Sequence, residues 1–276
     1  MPAPIRLPLR RLGLAAAVIA VGLLVIRLTG ADAGPGADPT SPAPAAVTTA
    51  LAAVTPATFD RVGAGTVAAR PTSIQGTPLT GDGKPQVLYV GGIFCPYCAA
   101  ERWPVALALM RFGSFSGLQI TTSAGNDAYP NTATLSFARA TYTSSYLSFA
   151  GLEQRDRAGR QVQAPTVAQQ AVISRYDNVP GHSDHPIPFL DLGNAFRILG
   201  TQVDPGLLKG LSAAQIAGSL SQFPSRVATA IDGSANVLTA GLCELTQGQP
   251  VAVCASPGVR AARAGLPAVP GQPGQR

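Results

Sequence analysis

Charge is scarce in this chain of 276 residues, of which only 12% are Asp, Glu, Lys or Arg. Together with a hydrophobic content of 46%, ample for a sizeable core, that scarcity excludes a disordered acidic protein. The formal net charge of +6 comes from basic residues spread along the sequence, with no run of five or more. A mildly basic solvated surface is expected, and no nucleic-acid partner. Histidine is limited to His182 and His185, and cysteine to four residues. No G-x-S-x-G nucleophile motif and no internal repeat occurs. The neighbours His182, Ser183, Asp184 and His185 do not make a triad by adjacency and read as an ordinary loop. Gly63-Ala64-Gly65-Thr66-Val67-Ala68 spells a dinucleotide fingerprint, but Pro71 soon follows and no strand–turn–helix surrounds it. No cofactor is expected.

Long apolar runs are equally lacking. The longest, residues 12–26, has fifteen residues, short of the ~20 that span a bilayer. Arg27 can snorkel and let Leu28 extend the segment. Arg6, Arg10 and Arg11 precede it, which predicts a cytoplasmic N-terminus, a single-pass signal anchor within residues 1–30 and an extracytoplasmic body. The alternative is a signal peptide cleaved near Ala33, since Ala31-Asp32-Ala33 fits an A-x-A site, and a secreted product. Both readings export the body. No cysteine follows the run to carry a lipid, and an even number of cysteines suits an oxidising compartment. Residues 31–57 are rich in Ala, Pro and Gly and read as a linker, and residues 257–276 as a disordered tail. One domain is expected over residues 58–256.

The most informative segment runs from Val87 through Val90 to Cys95-Pro96-Tyr97-Cys98 and on into Ala99-Ala100-Glu101-Arg102-Trp103. A buried strand that delivers a C-x-x-C to the first turn of a helix is the geometry of thioredoxin-like redox proteins. The free N–H groups and positive dipole end of the helix favour a thiolate at Cys95. Pro96 suits the first helical position, Tyr97 completes the dipeptide, and Cys98 can close a disulfide with Cys95. A zinc knuckle shares the C-x-x-C but needs a second ligand pair. Cys243 and Cys254 lie far downstream with ten residues between them and no histidine near either pair, so no metal is expected.

Further elements follow from pattern. A helix with core positions Val105, Leu109 and Phe112 is predicted over 96–112, kinked at Pro104. A strand is predicted over 118–122, one or two strands over 132–152, and a helix over 166–176. A hairpin is expected from 187–192 and 195–199 around Gly193-Asn194, a dipeptide suited to positive φ. Ser212 and Gln215 open a helix as a capping box. A last helix runs from about 225 to 245, with a break near Gly233. The fold class is α/β: a thioredoxin-like mixed sheet with helices on both faces, a segment inserted between the redox helix and the Pro188 strand, and extra C-terminal helices.

Pro188 opens a strand 90 residues after Cys98, the place of a cis-proline loop in thioredoxin folds. There the Ile187 backbone would face the sulfurs and pair with a substrate strand. The alternative is an ordinary trans proline on an edge strand. His185, three residues earlier, could tune the thiolate. Cys243 and Cys254 flank a Gly-Gln-Pro turn and are expected to form a structural disulfide, with a second, shuttling redox pair as the alternative.

The block from Gly91 to Trp103, the run from Arg111 to Leu118, Ile187 to Asn194 and the late cysteine pair resemble the domain of unknown function 929 family over residues 58–256. Its members are thioredoxin-like proteins of actinobacteria and archaea, often behind an N-terminal membrane segment. The resemblance implies a thioredoxin-like fold, Cys95 and Cys98 as the redox pair, and Pro188 as the cis-proline. The expected function is a membrane-tethered, extracytoplasmic thiol–disulfide oxidoreductase, an oxidase or isomerase. It would act on exported protein thiols or disulfides and could be served by a membrane redox partner. The alternative is a non-catalytic binding or assembly module in which the C-x-x-C is a structural disulfide.

Overall fold

A computed structural model describes residues 40–179 and 185–268. The expected membrane segment, the Ala33 site and His182 lie outside the described residues. Among those described, no helix is long and apolar enough to cross a membrane.

The chain begins with strand β1 (Ser41–Pro42), helices α1 (Ala45–Ala52) and α2 (Pro56–Val62), and short strands β2 (Thr72–Ser73) and β3 (Thr80–Gly81). Strand β4 (Lys84–Gly91) leads into helix α3 (Pro96–Met110). Then come β5 (Gly113–Ser116), β6 (Gln119–Thr122), β7 (Ala133–Ser136), β8 (Thr141–Ser144) and β9 (Ser148–Glu153). Helix α4 (Val167–Tyr176) precedes the hairpin of β10 (Phe189–Leu192) and β11 (Phe196–Leu199). A 3-10 turn at Pro205–Leu208 and helices α5 (Ala213–Ser219), α6 (Arg226–Leu245), α7 (Val251–Cys254) and α8 (Pro257–Arg263) complete the fold.

The architecture is mixed α/β. β4 is central: it runs parallel to β9, with Val87 opposite Phe149 and Gly91 opposite Glu153, and antiparallel to β10, with Val90 opposite Phe189. β11 and β2 extend the sheet beyond β10, and β3 pairs with the first residues of β4. The parallel β4–β9 pair requires a crossover, which α3 and the strands after it provide. Two smaller sheets, β1–β6–β7 and β5–β8, are made within this excursion and by the N-terminus.

Alternation along β4 sorts the core into two layers. Val87 and Tyr89 pack with α3 and α6 residues such as Trp103, Leu107 and Leu238. Leu88 and Val90 face the other way, onto Val172, Ile173 and Tyr176 of α4. Local chemistry fixes the helix starts: Thr166 and Ser212 form capping boxes with Gln169 and Gln215, and Ser225 caps α6. Gly193 and Asn194 turn the β10–β11 hairpin with φ of 64° and 56°.

Four expectations are corrected. Residues 45–52, read as linker, form α1, because Val47 and Leu51 share a helical face that is buried against the core. The tail reading fails over α8, where Val259 and Ala262 are buried and the Gly258 N–H donates to Asp60 Oδ1 at 2.9 Å. Residues 132–152 begin not one or two strands but three, since the Thr/Ser-rich stretch folds into short pairings with β5, β6 and β4. Helix α6 is unbroken at Gly233 because that glycine lets the helix meet Gly65, whose Cα would lie 2.6 Å from an added Cβ. Helix α3 holds Pro104 within its span, as expected.

Candidate active site

The end of β4 carries the chain across the edge of the sheet, and the backbone then turns at once into α3. Cys95 is the N-cap: its backbone is extended (φ −78°, ψ 122°), its N–H donates to the Gly92 carbonyl at 3.2 Å, and Pro96 follows at the first helical position. In place of the usual hydroxyl or carboxylate, the Cys95 sulfur accepts the Cys98 N–H at 3.3 Å. Cys95 and Cys98 are free thiols, Cys95 5% exposed and Cys98 fully buried.

The surroundings act in opposite senses on the two thiols. The Cys95 thiol is held below the ordinary range, first because the Cys98 thiol donates to it; burial opposes this, and the Cys98 and Tyr97 N–H groups and the Arg102 charge assist it. The Cys98 thiol is pushed well up, by burial above all, then by its hydrogen bond to Cys95 and the negative charge that Cys95 can carry. One sulfur is prepared for charge and the other for a proton.

Ile187 meets this pair from the opposite side. The Cys95 Sγ lies 3.9 Å from the Ile187 carbonyl oxygen. The Ile187–Pro188 peptide is cis, as are Phe223–Pro224 and Gln249–Pro250, and the Pro188 carbonyl accepts from the Gly200 N–H at 2.9 Å. The structure therefore brings Cys95, Pro96, Cys98, Ile187 and Pro188 together at one end of the β4–β10 pair. Tyr97 is 41% exposed and meets Tyr129 edge-to-face at 5.8 Å. The His185 Nδ1 lies against the Asp177 carbonyl.

Sequence reasoning gave no role to three neighbours. Tyr129 lies on the loop after β6, which is strapped to the site by the Ala124 N–H on the Phe94 carbonyl at 2.8 Å. Arg102, one turn beyond Cys98, is fully buried and pairs bidentately with Glu153 of β9, Nε to Oε1 and Nη2 to Oε2, both at 2.7 Å. Burial works against the Arg102 charge, and the Glu153 carboxylate, together with Tyr89 and Cys98, more than offsets it. Removing one partner would leave a buried charge uncompensated, at a cost of about 3–5 kcal/mol. The signal for this pair was Arg102 beside Glu101, the two charges in an otherwise uncharged helix, but nothing near it in sequence named Glu153.

Cys243 and Cys254 lie elsewhere, joining the end of α6 to α7 by a disulfide with Cα atoms 5.6 Å apart. Among the described residues no group of three or more His, Cys, Asp or Glu is arranged to hold a metal ion.

Comparison with curated proteins and with solved structures finds no match. The sequence pattern of a domain of unknown function, DUF929, matches residues 70–244, a stretch that holds β4, α3, the Ile187–Pro188 turn and α6 up to Glu244. The chain belongs to the domain of unknown function 929 family.

Proposed function

We propose that this protein is a thioredoxin-like thiol–disulfide oxidoreductase, tethered to the outer face of the cytoplasmic membrane by its N-terminal segment and acting on exported proteins as oxidase or isomerase. The observation that carries the reading is the placement of the two thiols at the start of α3: the Cys95 sulfur caps the helix and lies 3.9 Å from the Ile187 carbonyl oxygen, in surroundings that lower its thiol, whereas burial pushes the Cys98 thiol up. The order β9–β4–β10–β11, with a parallel crossover through α3 and then an antiparallel hairpin, supports the thioredoxin-like assignment.

In the oxidising direction a substrate thiolate attacks the Cys95 sulfur of the Cys95–Cys98 disulfide. The S–S bond breaks, its electron pair leaves on Cys98, and a mixed disulfide joins Cys95 to the substrate. A second substrate thiolate then attacks the substrate sulfur of that bond, releasing the Cys95 thiolate and leaving the substrate oxidised and the enzyme reduced. A membrane redox partner would reoxidise the pair. In isomerisation the Cys95 thiolate begins the cycle and is regenerated, with no net electron transfer. Ile187 and Pro188 would present the substrate backbone beside Cys95.

Cys98→Ser should accumulate mixed disulfides with exported proteins, and Cys95→Ser should form none. Equal behaviour of the two variants, or no trapped partner in either, would favour the non-catalytic module. Protease added to intact spheroplasts should digest the domain, and protection would remove the extracytoplasmic assignment.

A further inference from the structure

Arg102 takes no part in the bond exchanges above, yet its position ties it to both sulfurs. It follows Cys98 by four residues, so the two share a face of α3. Its Nη2 donates to the Gly92 carbonyl at 2.8 Å, the same oxygen that accepts the Cys95 N–H. The guanidinium thus holds the turn that sets the Cys95 backbone. Its plane is fixed from three sides: Glu153 on β9, Gly92 at the end of β4, and the Tyr89 ring 5.7 Å from the guanidinium carbon. The Tyr89 hydroxyl in turn donates to the Cys98 carbonyl at 3.4 Å. Arg102 Nη1 is buried and has no hydrogen-bond partner among the described residues, so its two N–H groups are left over beside a pair whose sulfurs take turns carrying charge.

We propose that Arg102 is a positioning residue for the redox pair: anchored by Glu153, it sets the Gly92–Cys95 turn and supplies the fixed positive charge that favours a thiolate at Cys95 and at Cys98 as each is released. A buried ion pair could act as a staple with no net field. Here the guanidinium end is bonded to the turn that carries Cys95, through the Gly92 carbonyl, and its charge works to lower both thiols. Besides Tyr97 within the motif and its neighbour Tyr129, the charged and titratable groups by the pair are Arg102 on α3, Tyr89 on β4 and Glu153, which pairs with Arg102 from β9. Arg102 is the one cation among these three. Its fork satisfies carboxylate and carbonyl together, which a lysine ammonium would not do in the same geometry.

This inference rests on the thiol–disulfide reading, and one measurement separates the two. The rate of iodoacetamide reaction at Cys95, located by mass spectrometry on the reduced full-length protein, is followed from pH 4 to 10. The pair is neutralised as a unit in Arg102→Met/Glu153→Gln, so that no buried charge is stranded, and Trp103 fluorescence and far-UV circular dichroism report the fold. The double variant should raise the apparent Cys95 pKa and slow the reaction at pH 6 about tenfold, the change that one pKa unit produces. Glu153→Gln alone leaves the guanidinium unbalanced and should shift the profile the other way, speeding the reaction at pH 6. Arg102→Lys should restore part of the rate that the neutral pair loses.

A structural staple would not give opposite signs. Profiles that shift in the same direction, or a folded double variant with an unshifted profile, overturn the inference while leaving the proposed function standing. If Glu153→Gln does not fold, the double variant decides alone. A wild-type Cys95 that titrates like a free thiol removes the functional reading and this inference with it.

Discussion

Cys95 and Cys98 are three residues apart across the first turn of α3, whereas Cys243 and Cys254 are eleven apart and join two helices. The helices α3 and α6 pack against each other, so both pairs belong to the same core, and burial does not distinguish them. What differs is the supply of N–H groups and charge. Cys95 caps a helix start, where orphan N–H groups converge, with the Arg102–Glu153 pair one turn below. Cys243 is at the far end of α6, and its carbonyl accepts the Gly248 N–H at 2.8 Å as the chain turns back. A buried cysteine pair becomes suited to exchange through its place on a helix and the charges around it, while spacing alone only permits a bond.

The sharpest way to break this comparison is to ask both pairs to react. A mild dithiol reductant should open Cys95–Cys98 completely and leave Cys243–Cys254 closed, read by mass after alkylation. Release of both together would show that α6 offers no protection and would revive the shuttle alternative for the late pair.

A smaller effect is expected in stability. Closing a loop of this length stabilises by about 3 kcal/mol on the chain-entropy model. For a domain of this size that corresponds to a fall in melting temperature of about 6–12 °C in Cys243→Ala/Cys254→Ala. Alkylation of Cys95 should keep its wild-type pH profile. Full stability with altered Cys95 chemistry would reverse the roles assigned here.

Sequence pattern made legible what depends on neighbours along the chain. β4 and α3 follow from the apolar run Val87-Leu88-Tyr89-Val90, Pro96 and an apolar period; the β10–β11 turn follows from Gly193-Asn194; the α5 start follows from Ser212 and Gln215. The late disulfide is also local. The unread parts are long-range or compositional. An Ala/Pro-rich stretch looks like linker until Val47 and Leu51 find a core to cover. The short strands β5 to β8 contain few apolar positions, and their pairing depends on partners such as Thr141 for Ser116. The site suffers most from this limit: Cys95 and Cys98 announce themselves by motif, whereas Arg102 and Glu153 are 51 residues apart and meet only because β9 returns parallel to β4.

The smallest effect separates the helices by their carboxylates. Glu101 on α3 and Asp232 on α6 are both fully buried, and burial pushes each up to about 8. Their unfolded-state values lie near ~4, so the folded protein holds these protons more tightly than the unfolded chain. The stability they contribute is fully present below about pH 4 and is lost as pH rises toward 8. The melting temperature should therefore fall between pH 5 and pH 8.5. Asp232 has no hydrogen-bond partner among the described residues for either carboxylate oxygen, while Glu101 Oε2 accepts from the Gln202 N–H at 2.6 Å and from Thr201 Oγ1 at 3.1 Å. Asp232→Asn should accordingly flatten the slope with little loss at pH 5. Glu101→Gln should flatten it too, because an amide oxygen can accept the same two bonds from Gln202 and Thr201 without ever taking up a charge. Glu101 lies one turn from Cys98 yet is directed toward the 201–202 segment, so Glu101→Gln should leave the pH profile of Cys95 alkylation unmoved. A shifted profile would place Glu101 in the electrostatics of the redox pair and narrow the contrast between the two helices to Arg102 and the cap.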